Sequence, residues 1–177
     1  MMMLPDLIER LTRGPTPAAL LVLAVVAILL AALGFQHLGG VAPCELCYYQ
    51  RIAYATAGVL ALLALLAGRR PVSGALLALA GLALLVNIGI AGYHVGVEQH
   101  WWAGTLGCSG EQIGSAASVD ELRAQIMAAP VERCDEVAWS LFGVSMAGYN
   151  MPLSLGLGVF ALLAAWRRRL ATATGAV

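Results

Sequence analysis

The chain has 177 residues, 60% of them hydrophobic and only 11% charged, with a formal net charge of zero and a mean hydropathy of +0.83. A soluble domain carries about 25% charged residues, so these side chains cannot cover a water-facing surface, and no nucleic-acid partner is expected. The length suits a single membrane unit over residues 1–177 rather than two domains.

Arg10 and Arg13 precede the first apolar run, 18–35, which holds no charge. A cleaved signal peptide also opens with basic residues and an apolar stretch. This run is longer than the ~7–15 residues usual there, and no small-x-small cleavage site follows it. A short link, 36–47, leads to a second run, 48–67, interrupted by Gln50 and Arg51. Arg69 and Arg70 fill the turn to a third run, 72–91, whose one strongly polar member is Asn87. A long link, 92–148, precedes the fourth run, 149–166, which Arg167, Arg168 and Arg169 follow. Roughly 20 residues at 1.5 Å each cross the hydrocarbon core. The runs are apolar all round rather than amphipathic, and they lack the alternation of barrel strands, the other means of satisfying a backbone in lipid. The expected fold is all-α, a transmembrane four-helix bundle.

Arginine placement gives the orientation. With four spans, Arg10 and Arg13, the Arg69–Arg70 turn, and the three arginines after the last run lie on one side, and positive charge marks the cytoplasmic side. Both termini are then cytoplasmic, and the two links 36–47 and 92–148 face outward. The long link carries seven acids (Glu98, Glu111, Asp120, Glu121, Glu132, Asp135, Glu136) against Arg123 and Arg133, a net of −5. Trp101, Trp102, Trp139 and Tyr149 fall where an outer aromatic belt would lie, and Trp166 where an inner one would. Within the long link, Ser118 and Glu121 form a capping box, Val119, Leu122 and Ile126 share a face, and Pro130 closes the segment. This reads as a short amphipathic helix, resting on the membrane surface or packed in the loop.

All four cysteines lie in the outward links: Cys44, Cys47, Cys108 and Cys134. In an oxidising compartment an even count implies pairing, and four cysteines allow three connectivities. Two structural bridges stapling the loops would be the plain account. It fits Cys44 and Cys47 poorly, because closing so short a loop restrains little unfolded-chain entropy. Positions i and i+3 at a helix start do lie on one face within disulfide reach. The free N–H groups there also favour a thiolate, which suits redox cycling. A zinc knuckle would bring a second close pair or histidines at fixed spacing, so no metal is expected. Arg51, one turn beyond Cys47, is an arginine on the outer side where positive-inside gives no reason for it. A guanidinium at mid-depth costs about 3 kcal/mol. It either snorkels to lipid phosphate or acts as a fixed cation beside Cys47, able to stabilise a thiolate or a carbonyl oxygen of a lipid-soluble cofactor.

The run Pro43-Cys-Glu-Leu-Cys-Tyr-Tyr-Gln-Arg51, four spans, two cysteines in a long second outer link, and Trp139-x-x-Phe142-Gly143 with Met146 resemble the disulfide bond formation protein B (DsbB) family of bacterial inner membranes over nearly the whole chain. The resemblance implies a thiol:quinone oxidoreductase. It would reoxidise a periplasmic, DsbA-like thioredoxin-fold dithiol protein and pass electrons to ubiquinone, or to menaquinone when oxygen is absent. On that basis the reduced partner attacks Cys108, Cys134 is released to attack Cys44, and Cys47 faces the quinone with Arg51 on a quinone oxygen. Glu45 stands where many relatives are apolar, and an anion between the cysteines should disfavour the thiolate. His94 or His100 could assist the quinone, yet an interfacial histidine is more often a satisfied belt residue, and neither joins the expected site. The contrasting reading is a non-enzymatic four-span protein with structural bridges or a metal-handling role, which would place Asp, His or Cys inside the spans. Reduction of outer disulfides from within would need cysteines across the membrane, and the sequence has none there.

Overall fold

A computed structural model of the protein describes residues 15–105, 108, 118–120, 123 and 133–173. Four helices dominate: α1 (Thr16–His37), α2 (Glu45–Ala67), α3 (Val72–Glu98) and α4 (Met146–Ala173). Each is long and apolar enough to cross a membrane. The helices run past the apolar runs at several ends, because the hydrogen-bond ladder of a helix does not stop where its side chains cease to be oily. One extension carries α3 seven residues beyond Ala91 and brings His94 and Glu98 onto the helix.

Successive helices alternate in direction. At one end, Arg51 near the start of α2 reaches Gln36 near the end of α1, and Gln50 reaches His94 near the end of α3. At the other end, Ser73 at the start of α3 donates to the Ala64 carbonyl of α2 at 2.7 Å, and Arg168 of α4 bonds Ser73 and the Gly68 carbonyl. The tight α2–α3 turn depends on Gly68, which ends α2 at φ 62°, a left-handed position that costs glycine nothing.

Lipid offers helices no hydrophobic gain for pairing, so close backbone approach must supply the contact. The buried face of α2 is accordingly Ala57, Ala61 and Ala64, and α4 presents Ser154, Gly158, Ala161 and Ala165. α3 and α4 cross most tightly where Gly81 meets Gly158. A Cβ on Gly81 would stand 2.8 Å from Leu162 and 3.1 Å from the Gly158 carbonyl. Pro152 sits inside α4, a position membrane helices tolerate.

Sequence reading did not foresee a two-stranded hairpin before α4, in which β1 (Ser140–Leu141) pairs antiparallel with β2 (Val144–Ser145). Its turn residues, Phe142 at φ 51° and Gly143 at φ 78°, both take the left-handed region that a two-residue hairpin turn requires. Phe142 is a costly choice for that position, which is why the turn was not legible. Tyr149 holds the hairpin down by donating to the Leu141 carbonyl at 2.9 Å. Trp139, just before β1, lays its ring 5.1 Å from that of Phe35 on α1. At the same end Trp102 folds back on α3, stacked 5.8 Å from Tyr93 with its indole N–H on the Tyr93 carbonyl. Gly96 makes room for it, since a Cβ there would collide with the indole. Of the expected surface helix, Ser118, Val119, Asp120 and Arg123 are described, while Glu121, Leu122, Ile126 and Pro130 lie outside the described residues.

Candidate active site

Cys44 caps α2 in an extended conformation (φ −72°, ψ 173°), which places Cys47 in the helix's first turn. The two sulfurs lie 3.0 Å apart as free thiols, Cys44 donating to Cys47. That donated bond, followed by burial, pushes the Cys44 thiol above its ordinary range, and the contact with His94 works the other way. Cys44 is thus the donor of the pair and Cys47 its acceptor.

Cys108 and Cys134 are joined by a disulfide with Cα atoms 5.0 Å apart. Cys44, Leu46, Val97, Cys108 and Cys134 form one buried cluster with Cys47 against it. All four expected cysteines thus converge. The bridge is almost fully covered, Cys108 at 2% and Cys134 at 0% exposure. Glu45, expected to disfavour the thiolate, has its carboxylate engaged by the hydroxyls of Tyr49 at 2.7 Å and Thr105. Thr105 also donates to the Cys108 sulfur at 3.2 Å. Glu45 therefore ties the start of α2 to the segment entering the bridge.

A cavity of about 420 Å³ opens beside the thiols. Its walls come from α1 (Ile28, Ala32, Phe35), α2 (Cys47, Arg51, Tyr54), α3 (His94, Glu98), α4 (Asn150, Leu153) and the hairpin region (Trp139, Leu141), with Cys44 and Pro43 at its rim. Arg51 faces inward rather than snorkelling. It donates to Gln36 at 2.5 Å and to the Ala32 carbonyl at 3.1 Å, and its guanidinium lies 5.8 Å over the Tyr48 ring.

The structure brings in groups that sequence reading passed over. His94 lines the cavity, 4% exposed, with Nε2 3.6 Å from the Cys44 sulfur. His100 sits exposed beyond the end of α3 and does not line it. Gln50 donates to His94 Nδ1 at 3.0 Å, which leaves the neutral ring's proton on Nε2. Behind Gln50 runs a ladder into the bundle. Asn150 donates to the Gln50 carbonyl oxygen, Tyr54 donates to Asn150 at 2.5 Å, and Ser154 lies 2.9 Å from both Tyr54 and Asn87. Glu98 stands 3.8 Å from His94 Nε2 and accepts from Ser145 of β2 at 2.5 Å. A signal for α3 was present. Asn87, Ala91, His94 and Glu98 recur at spacings of four, three and four and are all buried, the mark of one helix face.

Fold and site together define a polytopic membrane protein with a vicinal dithiol beside an apolar cavity and a second, bridged cysteine pair packed against it. The family model described as "Disulfide bond formation protein DsbB" matches residues 15–164. Among curated relatives, "Disulfide bond formation protein B" of Azoarcus sp. (strain BH72) is 33% identical over 163 residues, 88% of this chain and 93% of that protein. Its namesake in Verminephrobacter eiseniae (strain EF01-2) is 37% identical over 155 residues, covering 82% of this chain and 84% of that one. That of Alkalilimnicola ehrlichii is 30% identical over 156 residues, covering 85% and 93%. No solved structure matches. The chain belongs to the DsbB family, as a multi-pass membrane oxidoreductase of disulfide bond formation.

Proposed function

We propose that the protein is a thiol:quinone oxidoreductase that reoxidises a DsbA-like, thioredoxin-fold dithiol protein of the periplasm and delivers the electrons to ubiquinone, or to menaquinone without oxygen. The observation that carries this reading is the cavity, which places Cys47, Arg51 and His94 in the wall of one apolar chamber. Its volume falls within the ~300–1,000 Å³ of small-molecule sites, and a few convergent polar groups in an apolar lining are the usual makeup of such a site. A quinone ring and the head of its isoprenoid tail suit that lining. Bound there, a quinone would accept two electrons and two protons and leave as quinol.

The chain's own part is thiol–disulfide exchange. A thiolate of the reduced partner attacks Cys108, a mixed disulfide forms, and Cys134 leaves as thiolate. Cys134 then attacks Cys44 of an oxidised Cys44–Cys47 pair, and Cys47 is released as thiolate into the cavity. Attack by the partner's second thiol on the mixed disulfide frees Cys108 and completes the partner's own disulfide. Cys108 then displaces Cys44, the Cys108–Cys134 bridge re-forms, and two electrons rest on Cys44 and Cys47. The structure corresponds to that last arrangement, with the bridge closed and the C-x-x-C pair as thiols. Arg51 would hold a quinone oxygen, and His94 Nε2 stands where it can return a proton to the Cys44 sulfur. A coupled assay tests this. Each partner dithiol oxidised should yield one quinol, and oxidation of the partner with no quinol formed would overturn the reading.

The same proposal places the cysteine end in the periplasm and both termini in the cytoplasm. The buried native thiols are poor reporters of this, so cysteines should be introduced into a variant lacking all four. Phe142→Cys, at a site 91% exposed, should react with a membrane-impermeant reagent in intact spheroplasts. Arg70→Cys, in the turn at the opposite end, should react only after lysis. The reverse order would invert the topology.

A further inference from the structure

The donors around the dithiol make a set that sequence spacing could not reveal. Among the described residues, Cys44, Cys47 and His94 place two sulfurs and an imidazole nitrogen within 4.8 Å of one another. The C-x-x-C comes from the start of α2 and the histidine crosses over from the far end of α3. A tetrahedral zinc-type ion, with bonds of about 2.3 Å to sulfur and about 2.0–2.1 Å to nitrogen, separates sulfur from nitrogen by about 3.6 Å and sulfur from sulfur by about 3.8 Å. The Cys44–His94 distance is already 3.6 Å. The sulfurs, now 3.0 Å apart, need to spread by a small rotation of one side chain. A water drawn from the cavity completes the shell.

We propose that the dithiol form of this protein binds one thiophilic divalent cation, of the zinc or cadmium class, through Cys44, Cys47 and His94, and that the ion holds the pair reduced. Binding exchanges two thiol protons for one dication and moves no electrons; the His94 proton passes from Nε2 to Nδ1, where the Gln50 amide turns over to accept it, and Nε2 is left free to ligate. Two thiolates cancel the ion's charge, so the complex enters the apolar cavity without the cost of an unpaired buried charge. The disulfide form offers no thiolates and cannot bind, so occupancy follows redox state. Neither sulfur can take part in exchange while it is a ligand, and the ion sits in the wall of the cavity. The binding rests on donor geometry alone, whereas its inhibitory effect rests on the quinone-linked cycle proposed above.

The test uses the full chain in detergent, reduced with a phosphine, desalted and titrated with cadmium ion alone. The ultraviolet thiolate-to-cadmium absorption should saturate at one ion per chain. In the Cys108→Ser, Cys134→Ser background, where the C-x-x-C thiols alone remain, it should persist, and there it should vanish with Cys44→Ser, with Cys47→Ser and on oxidation. His94→Ala and His94→Gln, each checked for intact helicity, should bind at least tenfold more weakly. At cadmium a hundredfold above its dissociation constant, the dithiol–disulfide equilibrium should shift about a hundredfold toward the dithiol, equivalent to about 59 mV. Absorption that survives Cys44→Ser in that double-variant background, wild-type affinity in both His94 variants, or an unmoved equilibrium would each overturn the site. Quinol formation assayed in chelator reports on the quinone reading separately.

Discussion

Incubated with the partner's disulfide form, Cys134→Ser should give a mixed disulfide through Cys108, whose thiolate attacks the partner's disulfide and sets one partner thiol free, whereas Cys108→Ser should form none. In both variants steady-state oxidation of the partner should fall to the uncatalysed level, because the path between partner and C-x-x-C pair is cut in each. The asymmetry lies in the adduct. With Cys134 absent, Cys108 is a free thiol that forms the adduct by attacking the partner's disulfide, and no loop neighbour remains to resolve it. With Cys108 absent, the point of entry is gone. Packing sharpens the expectation. The bridge shares one buried cluster with Cys44, so the proposed transfer from Cys134 to Cys44 would be a local exchange, whereas Cys108, almost fully buried, must first be uncovered. A purely structural bridge predicts the same loss from either replacement. Non-reducing gels with purified partner decide the matter, and equal trapping by both variants would end the relay proposal.

Arg51→Ala should raise the apparent KM for quinone about 10- to 150-fold while both cysteine pairs still oxidise. A charge-assisted hydrogen bond is worth about 1.5–3 kcal/mol, and each 1.4 kcal/mol is tenfold in affinity. The side chain is held ready for that task. Its fork is fixed on Gln36 and the Ala32 carbonyl of α1, so little freedom remains to be lost when a ligand oxygen arrives. Arg51→Lys should recover only part of the loss, because an ammonium keeps the charge but not the two-pronged donor geometry. Initial rates across a quinone series, with partner saturating, give the KM directly. An unchanged KM in Arg51→Ala would return this residue to a structural strut between α1 and α2.

The bundle was legible because lipid imposes few solutions. Four apolar runs, only the second of which carries a charge, and clustered arginines leave little choice of architecture. The cysteines were legible because C-x-x-C at a helix start is informative in itself, and Arg51 because a cation on that side demands a reason. What sequence reading missed came from two sources. Side chains that meet only in three dimensions, such as Gln50, His94 and Asn150, carry no adjacency in the chain, although the buried face of α3 hinted at His94 and Glu98. The hairpin hid behind Phe142, a residue whose backbone angle is set by its surroundings rather than by its own preference. Glu45 misled for a related reason. Its charge looked like a neighbour of two sulfurs, but Tyr49 and Thr105 take it up.

The ladder from His94 to Asn87 also bears on how the protein assembles in a bilayer. Oily helix faces slide past one another at little cost, since every register buries much the same surface in lipid. Hydrogen bonds between Gln50, Tyr54, Asn87, Asn150 and Ser154 join α2, α3 and α4 at fixed heights. A slip of one residue by α4 would break the whole set together, leaving the amides without their partners inside the bundle. The ladder thus acts as a vernier, and only one alignment of the three helices closes every rung. That alignment is also the one that sets His94 against Cys44, so a correctly assembled bundle and a correctly aimed imidazole are a single event.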